Sequence, residues 1–126
     1  MTPLAKSLIL KAQDNLDLAK KLVNDESQHD VAGYNLAQAA ENLMKVLLSA
    51  RDIEFPEGDD AHDLDVMMSL LEEDNMSAIS SHADIIELTP YNSTGAKVRA
   101  DERLDLTEYV SQVEDLKGLV QEALGQ

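Results

Sequence analysis

The stretch Tyr-Asn-Leu-Ala-Gln-Ala-Ala-Glu-Asn-Leu-Met-Lys-Val-Leu-Leu over positions 34–48 constrains the fold more than any other part of the chain. At 3.6 residues per turn, Ala37, Ala40, Met44, Leu47 and Leu48 form one apolar face. Leu36, Ala39, Leu43 and Val46 widen it, and Asn35, Gln38, Asn42, Lys45 and Ser49 are left as a narrow polar stripe. A helix apolar over most of its circumference must be surrounded by other elements. Its small residues Ala37, Ala39 and Ala40 allow close approach, so the segment reads as the central helix of a bundle.

The flanking segments supply the surround. Thr2 as N-cap and Pro3 at the first helical position open a helix over 3–23. Leu4, Leu8, Ala12, Leu16, Ala19 and Val23 give it helical spacing, and Lys20 and Lys21 complement its C-terminal dipole. The central helix runs over 30–52, with Ser27 and Asp30 as a capping pair. Within it, Glu41 and Lys45 stand four apart, a pairing worth about 0.2–0.5 kcal/mol. Phe55-Pro-Glu-Gly58 ends that element. A third helix over 63–74 uses Leu64, Met67, Met68 and Leu71. A fourth over 76–88 uses Ile79, Ala83 and Ile86. Turn residues fill 89–95. Asp105 and Glu108 then open a last helix whose inner face is Tyr109, Val110, Val113, Leu116, Val120 and Ala123. The expected fold is all-α, an up-and-down bundle of four to five helices in one domain spanning residues 1–126.

Composition narrows the function classes. Apolar residues make up 44% of the chain and aromatics only 3%, which calls for an aliphatic, methionine-filled core; Met44, Met67, Met68 and Met76 read as its filler. The chain has no cysteine, which excludes disulfides and thiolate metal sites. The early run Leu8-Ile-Leu10 is too short for a signal peptide, and no segment approaches the roughly 18 apolar residues of a membrane span. A cytoplasmic protein without membrane contact is expected. The net charge of −15 opposes bulk binding of nucleic acid, whose affinity rests on Lys and Arg meeting phosphate.

Four groupings could carry chemistry. Lys97, Arg99 and Arg103 place three of the ten basic residues within seven positions, between Asn92-Ser-Thr-Gly95 and a helix start. They could hold a phosphate or nucleotide, or pair with Asp101, Glu102 or a carboxylate of the bundle. His62, beside Asp59, Asp60 and Asp63, could serve as a general base or simply open the third helix. Glu26 and His29 have the spacing of bundle metal sites, which need two such pairs and two further Glu. Asp59-Asp60-x-His62-Asp63 lacks EF-hand spacing. No metal and no cofactor is expected.

The order of Gln38-Ala-Ala-Glu41, His62-Asp63-Leu64, Leu88, Tyr91 and Val98-Arg99 resembles the HEPN domain family over nearly the whole chain. Ala100 departs from the pattern, standing where the family has a Tyr. The resemblance implies a homodimer and pairing with a minimal nucleotidyltransferase, often as a toxin–antitoxin system. It adds Tyr91 to Lys97, Arg99 and Arg103 as candidate nucleotide-binding residues. Many members are ribonucleases that use an Arg, four to six residues, then a His. Here the three histidines, His29, His62 and His82, all precede Arg99. The resulting expectation is a non-catalytic partner module, binding a nucleotidyltransferase and a nucleotide. Its rivals are a divergent ribonuclease or toxin using Arg99 and His62, and a purely structural dimeric protein.

Overall fold

The computed structural model describes residues 1–125, and every regular element among them is helical. Helix α1 (Pro3–Leu22) starts as the sequence implies, with the Ala5 amide donating to Thr2 Oγ1 at 3.0 Å. Its buried row is Ala5, Leu8, Ala12, Leu16 and Ala19. Leu4 is 48% exposed, a correction to the expected row. The row facing the bundle enters at Ala5, which leaves Leu4 on the helix flank.

Helix α2 (His29–Ala50) is the central element: fourteen of its 22 residues are buried. It packs against α1, α3 (Leu64–Glu73), α4 (Leu106–Ala123) and a long 3₁₀ segment, Ser77–Tyr91. Each large aliphatic side chain buried there contributes about 1.5–3 kcal/mol. The expected Ser27–Asp30 cap does not form. Instead Asp25 accepts from the Ser27 amide at 3.0 Å and caps a short 3₁₀ turn, Glu26–Gln28, which runs straight into α2.

Helix α3 is capped by Asp63, which accepts from the amides of Asp65 and Val66. Arg51, just past α2, donates to the Asp74 carbonyl and carboxylate at 2.8 and 2.9 Å, joining the ends of α2 and α3. Helix α4 begins at Asp105, whose carboxylate accepts from the Thr107 amide and hydroxyl. Its inner row is Leu106, Tyr109, Val113, Leu116 and Val120, while Ala123 is exposed and Val110 half-buried.

The fourth helix of the sequence reading is the largest local correction. Residues 77–91 form a 3₁₀ segment with non-helical backbone at His82. The buried residues are Ile79, Ile85, Leu88 and Tyr91, with Ala83 exposed and Ile86 half-buried. Their separations are multiples of three, the repeat that places side chains in one row of a 3₁₀ helix. Thr89, Pro90 and Tyr91 therefore belong to the element and not to the loop after it.

Candidate functional site

Glu41 is held by three side chains, those of Lys45, His62 and Asn92. Its side chain is 3% exposed, on the face of α2 that meets the start of α3. Lys45, one turn along, donates to Oε2 at 3.0 Å. Asn92, just past the 3₁₀ segment, donates from Nδ2 to Glu41 Oε1 at 3.0 Å and to the His62 carbonyl at 2.9 Å. Gln38 in turn donates to Asn92 Oδ1 at 2.7 Å. His62 lies 2.7 Å from Glu41 Oε1 through Nδ1. Glu41 Oε1 accepts here, so Nδ1 of His62 donates to it. The His62 side chain is 60% exposed. A buried carboxylate thus holds an accessible imidazole in place.

This network joins three segments far apart in sequence, and among the described residues no buried side-chain polar atom is left without a partner. Beside it, Asn15 donates to Asn35 Oδ1 at 3.0 Å and accepts from Asn42 at 3.2 Å. The polar stripe read from the sequence is therefore largely internal: Asn35 and Asn42 are buried and close a ladder of amides against α1. With Lys11 and Asp14 they lead to an open polar groove between α1 and α2.

A second cluster lies at the start of α2. His29 Nε2 and the Tyr91 hydroxyl are 2.8 Å apart, and the Leu104 amide donates to the same hydroxyl at 3.1 Å. Partial burial, then the charge of Arg103, lowers the His29 pKa below its ordinary value; Asp30 and Glu26 oppose the shift. The neutral imidazole is favoured, so Tyr91 donates its O–H to Nε2 while its oxygen accepts from Leu104. Because the folded-state pKa is depressed, this contribution to stability is full above the unfolded value near 6.5. It is lost as pH falls through the folded pKa. Thermal melts between pH 7.5 and 5 are expected to show a larger decline in the native chain than in His29→Asn, which lacks the titrating ring. Parallel declines would remove His29 from the account.

The basic cluster is dispersed by its partners. Arg99 faces Asp101 at 3.2 Å and Arg103 faces Glu26 at 3.2 Å, both on exposed surface. Lys97 is exposed, and the Val98 amide beside it donates to Asp30 at 3.2 Å. Tyr91 turns inward: it is 1% exposed and packs on Gly33, so its ring is not presented to a ligand. The folding does not give His62 and Arg99 a common partner, since one is bound to Glu41 and the other to Asp101. Glu26 and His29 likewise turn to different partners, Arg103 and Tyr91. No group of three or more His, Asp or Glu suited to a metal occurs among the described residues. No helix among them is long and apolar enough to cross a membrane.

Sequence reasoning missed the partnership of His29 with Tyr91 and that of Glu41 with His62 and Asn92. A signal for the first existed in Gly33, a glycine inside the central helix, which marks a close approach. Against known proteins, the model of the HEPN domain family matches residues 5–123. No curated protein and no solved structure matches the chain.

Proposed function

Because the chain belongs to the HEPN domain family, we propose that it is a partner module of the non-catalytic kind. It acts as a homodimer that binds a minimal nucleotidyltransferase and, through Lys97, Arg99 and Arg103, a nucleotide. The observation that carries its non-catalytic part is that neither Arg99 nor Arg103 is followed by a histidine. For the nucleotide, phosphate has to displace Asp101 from Arg99 and Glu26 from Arg103, both exposed pairs. The Arg-and-His pair on which ribonuclease chemistry in the family depends has no counterpart at that place.

Co-expression with a minimal nucleotidyltransferase is expected to yield a complex that survives gel filtration. The purified chain is expected to leave RNA intact. A nucleotide should shift the amide resonances of residues 95–106, less so at high salt and much less in Arg99→Ala. Unchanged spectra at millimolar nucleotide would leave the cluster as ordinary ion pairing. The rival reading draws on one observation, the exposed imidazole of His62 held in place by Glu41. Metal-independent RNA cleavage that disappears in both His62→Ala and Arg99→Ala would install it.

A further inference from the structure

The amides beside the groove between α1 and α2 are fixed in direction from their inner ends outward. A backbone carbonyl only accepts, so the Asn35 nitrogen, 2.9 Å from the Val31 oxygen, is the donor there. Asn35 Oδ1 then accepts from Asn15 at 3.0 Å, and Asn15 Oδ1 accepts from Asn42 at 3.2 Å. Asn42 Oδ1 ends that ladder with no donor among the described residues. A second ladder ends the same way. Asn92 directs its amide protons to Glu41 and the His62 carbonyl, and its oxygen accepts from Gln38 Nε2 at 2.7 Å. Gln38 Oε1 is left without a donor among the described residues.

Asn42 is 7% exposed, and no sealed side-chain polar atom among the described residues lacks a partner. Its free oxygen is therefore reached from the groove, an open polar space of about 390 Å³ that Asn42 lines with Gln38, Lys45, Lys11 and Asp14. A nearly buried acceptor that opens on a polar recess and meets no donor of its own chain is a place for a donor from outside. The exposed carboxylate of Asp14 is likewise unpaired among the described residues. Cations gather at the other end. Lys11 has no partner among the described residues, and Lys45 gives one of its three protons to Glu41. Gln38, Asn42 and Lys45 follow one another along one stripe of α2, with Gln38 and Lys45 about 10 Å apart along the axis. The turn between α1 and α2 reverses the chain, which brings Lys11, one turn before Asn15, level with Lys45.

We propose that this groove binds a small dipolar molecule, its guanidinium or ammonium group on Asn42 Oδ1, Gln38 Oε1 and Asp14, and its carboxylate on Lys11 and Lys45. An ionised donor offers several N–H groups at once, and hydrogen bonds of ionised groups are the stronger kind. A plain cation is opposed by the two lysines, and a plain anion leaves the acceptors unmatched. The net charge of −15 draws in any cation, so the carboxylate end carries the selectivity.

The groove is separate from the arginine cluster, and the test uses the full chain. The probe is 4-guanidinobutyrate, which carries both ends. Agmatine has an ammonium in place of the carboxylate, and butyrate lacks the guanidinium. Titrations to millimolar ligand, followed by amide chemical shifts, should move residues 11–15 and 38–45 with 4-guanidinobutyrate. The other two compounds should bind about tenfold more weakly or worse. Lys11→Gln and Asp14→Asn alter exposed side chains, so circular dichroism should show both variants folded. Lys11→Gln should weaken 4-guanidinobutyrate about tenfold and leave agmatine at least as well bound. Asp14→Asn should weaken both. Unmoved groove resonances with 4-guanidinobutyrate would overturn the proposal and leave the groove to water. Agmatine binding as tightly as 4-guanidinobutyrate would also overturn it, as unselective attraction of cations to an acidic surface. So would a Lys11→Gln variant that binds 4-guanidinobutyrate as the native chain does.

Discussion

Replacing Glu41 with alanine is expected to lower the unfolding free energy by about 3–5 kcal/mol, the range for breaking a buried charged network by removing one partner. The loss has two parts. A side chain 3% exposed leaves a void against α3. Asn92, itself 3% exposed, loses the acceptor for one of its amide protons. Lys45 and His62 are nearer to water and recover part of what they lose. Glu41→Gln keeps the volume and one acceptor oxygen, so its penalty should be clearly smaller. Urea titrations of the two variants against the native chain measure the difference. An alanine variant within about 1 kcal/mol of native would show that the network is not what fixes α2 to α3.

Gly33→Ala is expected to destabilise by about 2–3 kcal/mol, although alanine is the better helix former by about 1 kcal/mol. A Cβ at position 33 would stand 2.7 Å from both Cγ and Cε1 of Tyr91, inside normal contact. The ring cannot swing aside cheaply. It is 1% exposed, and its hydroxyl is held by His29 and by the Leu104 amide. Removing the ring should relieve the strain, so Gly33→Ala with Tyr91→Leu should cost less than the sum of the single changes. Calorimetric melts of the three variants decide it. A Gly33→Ala chain that melts above the native one would mean that the ring has room the packing does not show.

Much of the fold was legible because long helices declare themselves by repeating apolar residues at fixed spacing. The central position of α2 follows from Leu36 through Leu48, and the starts of α1, α3 and α4 follow from Thr2, Asp63 and Asp105. The Glu41–Lys45 pair was legible too, being local to one helix. What stayed hidden depends on contacts between distant segments, which no spacing encodes. Nothing near Glu41 in the sequence says that Asn92, 51 residues away, will hold the same oxygen as His62. The 3₁₀ segment was misread for a different reason. Ile79 and Ile86 fit an α-helical repeat, and the competing row of Ile79, Ile85, Leu88 and Tyr91 is visible only to a reader looking for a period of three.

That segment is also where the molecule is expected to loosen first. Hydrogen bonds closing over three residues are poorer than those of an α-helix, and non-helical backbone at His82 interrupts them. Between 77 and 84 only Ile79 is fully buried, so little apolar surface opposes a local opening there. The far end of the same segment delivers Asn92 to Glu41. Fraying that began in the exposed half and travelled to Tyr91 would release Asn92 and admit water to the carboxylate while α1, α2 and α4 were still packed. An opening of that kind would make this segment the way in to the buried Glu41 carboxylate.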